Sequence, residues 1–166
     1  MDISLCILHP DLTLEYSGAN NPLWVLRPGS SLALKGTPSR EGTPFRAGEE
    51  GEGNYRETTS EDGHYTITEI KADKQPIGKY TLMTPFKSHT IKLEKGDQVY
   101  TFTDGFPDQF GGEKLKKYMS KRLKKFLFTI ADQPMETQKE LLLKEFDDWR
   151  QDTEQVDDVC VIGVKI

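Results

Sequence analysis

Aspartates stand at two places where they could do chemistry. Asp104 follows the alternating run Val99 to Thr103 and is itself followed by Gly105, while Asp157 and Asp158 immediately precede the apolar run Val159 to Ile166. If the two runs pair as antiparallel strands, the end of one lies beside the start of the other and the carboxylates converge. Converging carboxylates repel, and burial raises their pKa values unless a cation neutralises them, so hard divalent ions are the natural partners. Mg²⁺ or Mn²⁺ is therefore expected. Zinc is disfavoured, because His9, His64 and His89 are scattered with no ligand-like neighbours. An Asp-Gly after a strand is also an ordinary turn, so on the residues alone metal binding and a simple turn both stand.

The elements that must position these acids are readable from periodicity. Ile3, Leu5 and Ile7 alternate with polar neighbours, as do Leu12, Leu14 and Tyr16 after His9-Pro10-Asp11, which predicts a hairpin; Leu23 to Leu26 then resumes as a third strand of an antiparallel meander. Tyr65 to Ile70 and Phe86 to Leu93 read as further strands. Between them, residues 29–65 hold seven of the 14 glycines and almost no apolar period, so a flexible insertion is expected there, either a partner-binding loop or a tolerated insertion. Past Gly111-Gly112 the spacing of Leu115, Tyr118, Met119, Leu123, Phe126, Leu127 and Ile130 predicts a helix. Pro134 opens a second, lined by Leu141, Leu142, Phe146 and Trp149. Val159 to Ile166 suits a central strand. Strands, insertion, strands, two helices and a strand define an α+β layered fold.

The chain has 166 residues, 35% hydrophobic and 30% charged, enough for one domain with a real core. A net charge of −5 gives no general attraction to nucleic acid or to an anionic membrane. No apolar stretch approaches the ~20 residues a membrane helix needs, and the N-terminus lacks a signal-peptide plan. Cys6 and Cys160 sit in alternating apolar runs and are expected to be buried reduced thiols, which suits a cytoplasmic protein. Seven of the twelve residues from Lys114 to Lys125 are Lys or Arg, either a solvated helix face or a docking site for an acidic or phosphorylated partner.

Tyr100-Thr101-Phe102-Thr103-Asp104-Gly105-Phe106-Pro107-Asp108-Gln109-Phe110-Gly111-Gly112 resembles the "TDG" metal motif of SpoIIE-type protein serine/threonine phosphatases. Gln155-Val156-Asp157-Asp158-Val159-Cys160 is similar to their C-terminal Asp-Asp or Asp-Asn motif. Leu14 to Leu23, with Ser17-Gly18-Ala19-Asn20-Asn21-Pro22, resembles the family's hairpin, and Gln75-Pro76-Ile77-Gly78 its Pro-Ile-Gly loop. The resemblance implies a partial phosphatase type C-like fold, antiparallel sheet layers packed with two C-terminal helices, and places residues 1–166 in one N-terminally truncated domain. It puts Asp104, Gly105 and Asp157 at metal positions, Asp108 at a position that serves an additional metal, and Asp158 beside its neighbour to orient it. Asp104 and Asp157 would act catalytically through bound Mn²⁺ or Mg²⁺, in a two-metal hydrolysis of phosphoserine or phosphothreonine proteins in bacterial signalling.

The sequence departs from the family pattern in one decisive respect. An Asp-Gly-His-Gly-like motif, whose Asp bridges both metals, would lie upstream of the first hairpin, so the site is expected to be incomplete in this chain. Asp62-Gly63-His64 lies on the wrong side of that hairpin and reads as a loop turn. Two functions follow as alternatives: a metal-dependent phosphatase module, or a non-catalytic phosphatase-like fragment that binds a partner. Exposed sheet edges would favour homo-oligomers.

Overall fold

A computed structural model describes residues 1–29, 55–78 and 84–166. The chain forms two compact units, one of residues 1–101 with 165–166, the other of residues 102–164.

The first unit holds two antiparallel sheets. In one, β1 (Ile3–Leu8), β2 (Thr13–Ala19) and β6 (His89–Lys92) lie in the order β1-β2-β6. The β1–β2 hairpin forms as its alternation predicts, with Cys6 opposite Tyr16. The third strand does not extend it into a meander. Instead, β3 (Leu23–Pro28) pairs antiparallel with β5 (Tyr65–Ile70) on one side and β7 (Gln98–Phe102) on the other. The reason lies in its composition: Leu23, Trp24, Val25 and Leu26 are all buried, and a strand apolar on both faces belongs at the centre of a sheet. Leu14, Tyr16 and Ile91 from the first sheet and Leu23, Val25, Ile70 and Val99 from the second form one core cluster. Arg27 and Asp97 fasten this unit further: the fully buried Asp97 carboxylate accepts Arg27 Nε at 2.8 Å and Nη2 at 2.6 Å, and the Glu94 backbone N–H at 2.8 Å.

The strand β4 (Tyr55–Thr59) falls inside the segment expected to be an insertion. It pairs with β5 at the sheet edge and is largely exposed, so Tyr-Arg-Glu-Thr-Thr needs no apolar alternation to be a strand. The rest of the expected insertion, residues 30–54, lies outside the described residues. Asp62-Gly63-His64 is the β4–β5 turn: Asp62 Oδ1 accepts the His64 N–H at 2.9 Å, and Gly63 has φ +75°.

The second unit is helical and aromatic. A single helical turn, α1 (Gly105–Asp108), leads into a small hairpin of β8 (Phe110–Gly111) and β9 (Lys116–Lys117), then α2 (Ser120–Ile130), α3 (Met135–Arg150) and β10 (Val161–Lys165). The first helix starts later than its stripe predicts. Leu115 (φ 45°) and Met119 (φ 74°) occupy left-handed backbone that an α-helix cannot contain, and both side chains are exposed. Leu123, Leu127 and Ile130 do form the buried face of α2. Pro134 stands at the N-cap of α3, where its missing N–H costs no helix bond, and Leu142 and Phe146 are buried as expected. Phe106, Tyr118, Phe146 and Trp149 form a chain of ring contacts with centroids 5.1–5.4 Å apart.

Two expectations of burial fail. Ile162 and Val164 in β10 are 56% and 46% exposed, so this run is not a buried central strand. Both cysteines are exposed rather than buried: Cys6 lies on β1, an edge strand whose residues are nearly all exposed, and Cys160 precedes β10. Among the described residues no helix is long and apolar enough to cross a membrane.

Candidate metal centre

Both acidic motifs lie in the second unit, and their main chains meet. At Thr103 the backbone N–H donates to Cys160 O at 3.0 Å, the hydroxyl donates to Asp158 O at 2.8 Å, and the same Oγ1 accepts the Cys160 N–H at 3.0 Å. The residue before Asp104 is therefore bonded to both sides of Val159. Gly105 completes the approach. A Cβ there would stand 2.9 Å from Asp158 C and 3.2 Å from Asp157 O, and backbone atoms have little freedom to retreat. Glycine is required by space, not by φ.

The turn bearing Asp104 is held from below. The Asp108 N–H donates to Asp104 O at 2.9 Å, and Phe106, 2% exposed, packs edge-on to Tyr118 and against Phe146. Burial holds the Tyr118 hydroxyl well above the ordinary range, assisted by its bond to Glu145 at 2.9 Å, so it remains a neutral donor. Asp104 is exposed, as are Asp157 and Asp158. Asp157 Oδ1 accepts the Asp158 backbone N–H at 2.7 Å, which orients the Asp157 carboxylate. Asp108 is engaged differently: its Oδ2 pairs with Lys117 Nζ at 2.8 Å.

Gln109 is the positioning residue that sequence reasoning missed. It is fully buried; its Nε2 donates to Glu154 O at 3.0 Å and to Phe110 O at 3.0 Å, and its Oε1 accepts the Val156 N–H at 3.3 Å. Its own carbonyl accepts Trp149 Nε1 at 3.0 Å and the Tyr118 N–H at 2.9 Å. One amide thus ties the Asp104–Asp108 turn to the loop that leads into Asp157. The available signal was an amide inside an acid-bearing loop, which periodicity does not weigh.

The structure brings Asp104 and Gly105 together with the Asp157-Asp158 backbone, and leaves Asp108 in an ion pair. Among the described residues no three His, Cys, Asp or Glu side chains are grouped to hold a metal. The side-chain donors that the two motifs offer are oxygen, the Asp104 and Asp157 carboxylates. In kind they fit one hard divalent ion; in number they fall short of two.

Antiparallel sheets, an Asp-Gly turn after a sheet strand and a paired Asp-Asp before the last strand are the features to set beside known proteins. A sequence profile of the Stage II sporulation protein E (SpoIIE) family matches residues 58–166, and the chain belongs to that family. The SiaA-PP2C domain of Pseudomonas aeruginosa shares its fold with a TM-score of 0.65 at 20% identity, over 94% of this chain and 47% of that one. The phosphatase domain of the cell fate determinant SpoIIE from Bacillus subtilis superposes with a TM-score of 0.51 at 13% identity, over 99% of this chain and 58% of that one. The chain thus spans about half the length of the solved structures it matches. No curated protein matches it by sequence. The fold is α+β with antiparallel sheets and few helices, as expected.

Proposed function

We propose that this chain is the C-terminal part of a divalent-metal-dependent protein phosphatase acting on phosphoserine or phosphothreonine in a bacterial signalling protein. The observation that carries the reading is the contact at Gly105, which seats the Asp-Gly turn on the Asp157-Asp158 backbone. Asp104 and Asp157 would hold Mn²⁺ or Mg²⁺ together with the Gly105 carbonyl, Asp108 would serve an additional ion once released from Lys117, and Asp158 orients Asp157. When bound, such an ion supplies Lewis acidity and lowers the pKa of water at neutral pH. The chain's own residues contribute position and charge: Gln109 and Thr103 fix the two motifs, and the exposed carboxylates face solvent where a phosphoprotein can reach them.

The bridging carboxylate of a two-metal site is not among the described residues, and the relatives are about twice as long. We therefore assign that group to polypeptide outside this segment. Ile3, Leu5 and Ile7, exposed on the edge strand β1, support an association there, with that polypeptide or with a second copy. A second reading is a non-catalytic partner-binding module, since among the described residues no third carboxylate joins the two at the centre.

The test is phosphate release from a phosphoserine peptide in Mn²⁺, comparing the chain with Asp104→Asn. Release that is lost in the variant supports catalysis by this segment. Mn²⁺ binding that is lost in the variant, without release in either protein, fits a bridging carboxylate supplied from outside this segment, and no Mn²⁺ binding in the parent favours the second reading.

A further inference from the structure

The hairpin that follows the Asp104–Asp108 turn is built to present charge and apolar surface outward. Of the seven basic residues between Lys114 and Lys125, Lys117 is engaged by Asp108 and Arg122 by Glu145, with Arg122 also stacked over Trp149 at 4.2 Å. Lys114, Lys116 and Lys121 are exposed and make no ion pair among the described residues. Glu113 is the single acid from 113 to 125. In a chain of net charge −5 this is a local reversal of sign.

Between these lysines in the chain stand Leu115 and Met119, 62% and 57% exposed, and Phe110, 41% exposed, lies opposite Lys117 on the paired strand. Leu115 and Met119 sit at positive φ, a conformation that is strained for bulky side chains and that glycine or asparagine adopts far more readily. A merely solvated hairpin has no reason to put two large apolar side chains at such positions. The hairpin is nonetheless firmly placed: the Met119 N–H donates to Pro107 O at 2.7 Å, the Gly112 N–H donates to Trp149 O at 2.9 Å, and Gly111 has no room for a Cβ against Trp149. The surface is thus fixed directly beside the candidate centre.

We infer that this hairpin docks the acidic, partly apolar segment flanking the phosphorylated residue of the protein substrate. Lys114, Lys116 and Lys121 receive carboxylates of that segment, and Leu115 and Met119 its apolar side chains. The inference rests on the phosphatase reading for the identity of its partner, but the surface is separate from the metal-holding residues.

The test uses fluorescence anisotropy with a labelled phosphoserine peptide flanked by glutamate and leucine, and a control peptide with glutamine for each glutamate. The Lys114→Gln/Lys116→Gln/Lys121→Gln variant should bind the acidic peptide about tenfold more weakly, from three exposed pairs of about 0.5 kcal/mol each. Salt should remove the preference for the acidic peptide. Leu115→Gly should raise the unfolding midpoint while weakening peptide binding, an outcome that misfolding cannot imitate. Equal affinity of the triple variant and the parent, equal affinity for both peptides, or equally tight binding of a generic DNA duplex would each overturn the inference. Mn²⁺ titration of the same proteins separates the two readings: peptide indifference with intact metal binding refutes docking alone, whereas charge-selective docking without metal binding refutes the phosphatase assignment alone.

Discussion

Replacing Gly105 by alanine tests the geometry on which the candidate centre depends. The backbone at Gly105 is not left-handed, so the substitution brings no conformational strain of its own and removes some unfolded-state entropy, which by itself favours the variant by about 0.4–1 kcal/mol. Against this stands the missing space: the new Cβ would lie 2.9 Å from Asp158 C and 3.2 Å from Asp157 O, both backbone atoms. Relief requires the Asp157-Asp158 segment to move away, which stretches the bonds from Thr103 to Asp158 O and Cys160. Overpacking of this kind costs about 1–3 kcal/mol, so a net loss of about 1–2 kcal/mol is expected. Urea unfolding followed by tryptophan fluorescence measures it, and Mn²⁺ titration measures whether the two acidic motifs have separated. A Gly105→Ala protein as stable as the parent, with unchanged Mn²⁺ affinity, would refute the claim that these motifs meet at Gly105.

Gln109→Leu keeps the bulk but leaves Glu154 O and the Val156 N–H without their amide partner; a loss of about 2 kcal/mol is expected, and a urea midpoint within error of the parent would contradict its positioning role. His89 is half-buried and stacked on Tyr16, and desolvation holds its imidazole below the ordinary 6.5. The unfolded chain then binds more protons than the folded one just below that value, so His89's contribution to stability is intact above pH 6.5 and falls as the solution is acidified. Urea midpoints across this window should fall less steeply in His89→Phe than in the parent; parallel slopes would show that His89 does not titrate in this way.

The parts of the fold that the sequence reveals are those written in local periodicity. The β1–β2 hairpin and the burial of Leu142 and Phe146 follow from alternation and helical spacing alone. Other elements depend on information that periodicity lacks. Tyr55–Thr59 is a strand because β5 offers it an edge, not because its own residues alternate. Leu115, Tyr118 and Met119 match a helical stripe, yet left-handed backbone at two of them makes a hairpin instead. The apolar composition of β10 suggests a core strand, but composition does not say what covers it, and Ile162 and Val164 are exposed.

The candidate centre was legible in its acids, and less so in its supports. Asp104, Gly105 and Asp157 are marked by their placement at strand ends and by family resemblance, and the structure adds the reason for the glycine. Asp108 is equally visible in sequence, but the fold is what brings Lys117 beside it. Gln109 shows in the sequence only as an amide inside an acid-bearing loop, and its role comes from three bonds to residues 110, 154 and 156.

The central claim is that Asp104 and Asp157 hold a divalent ion. Isothermal titration of Mn²⁺ into the chain and into Asp104→Asn tests it most directly. The account predicts a single weak site in the parent, consistent with two carboxylates, and no measurable heat of binding in the variant. Identical titration curves for the two proteins would contradict it.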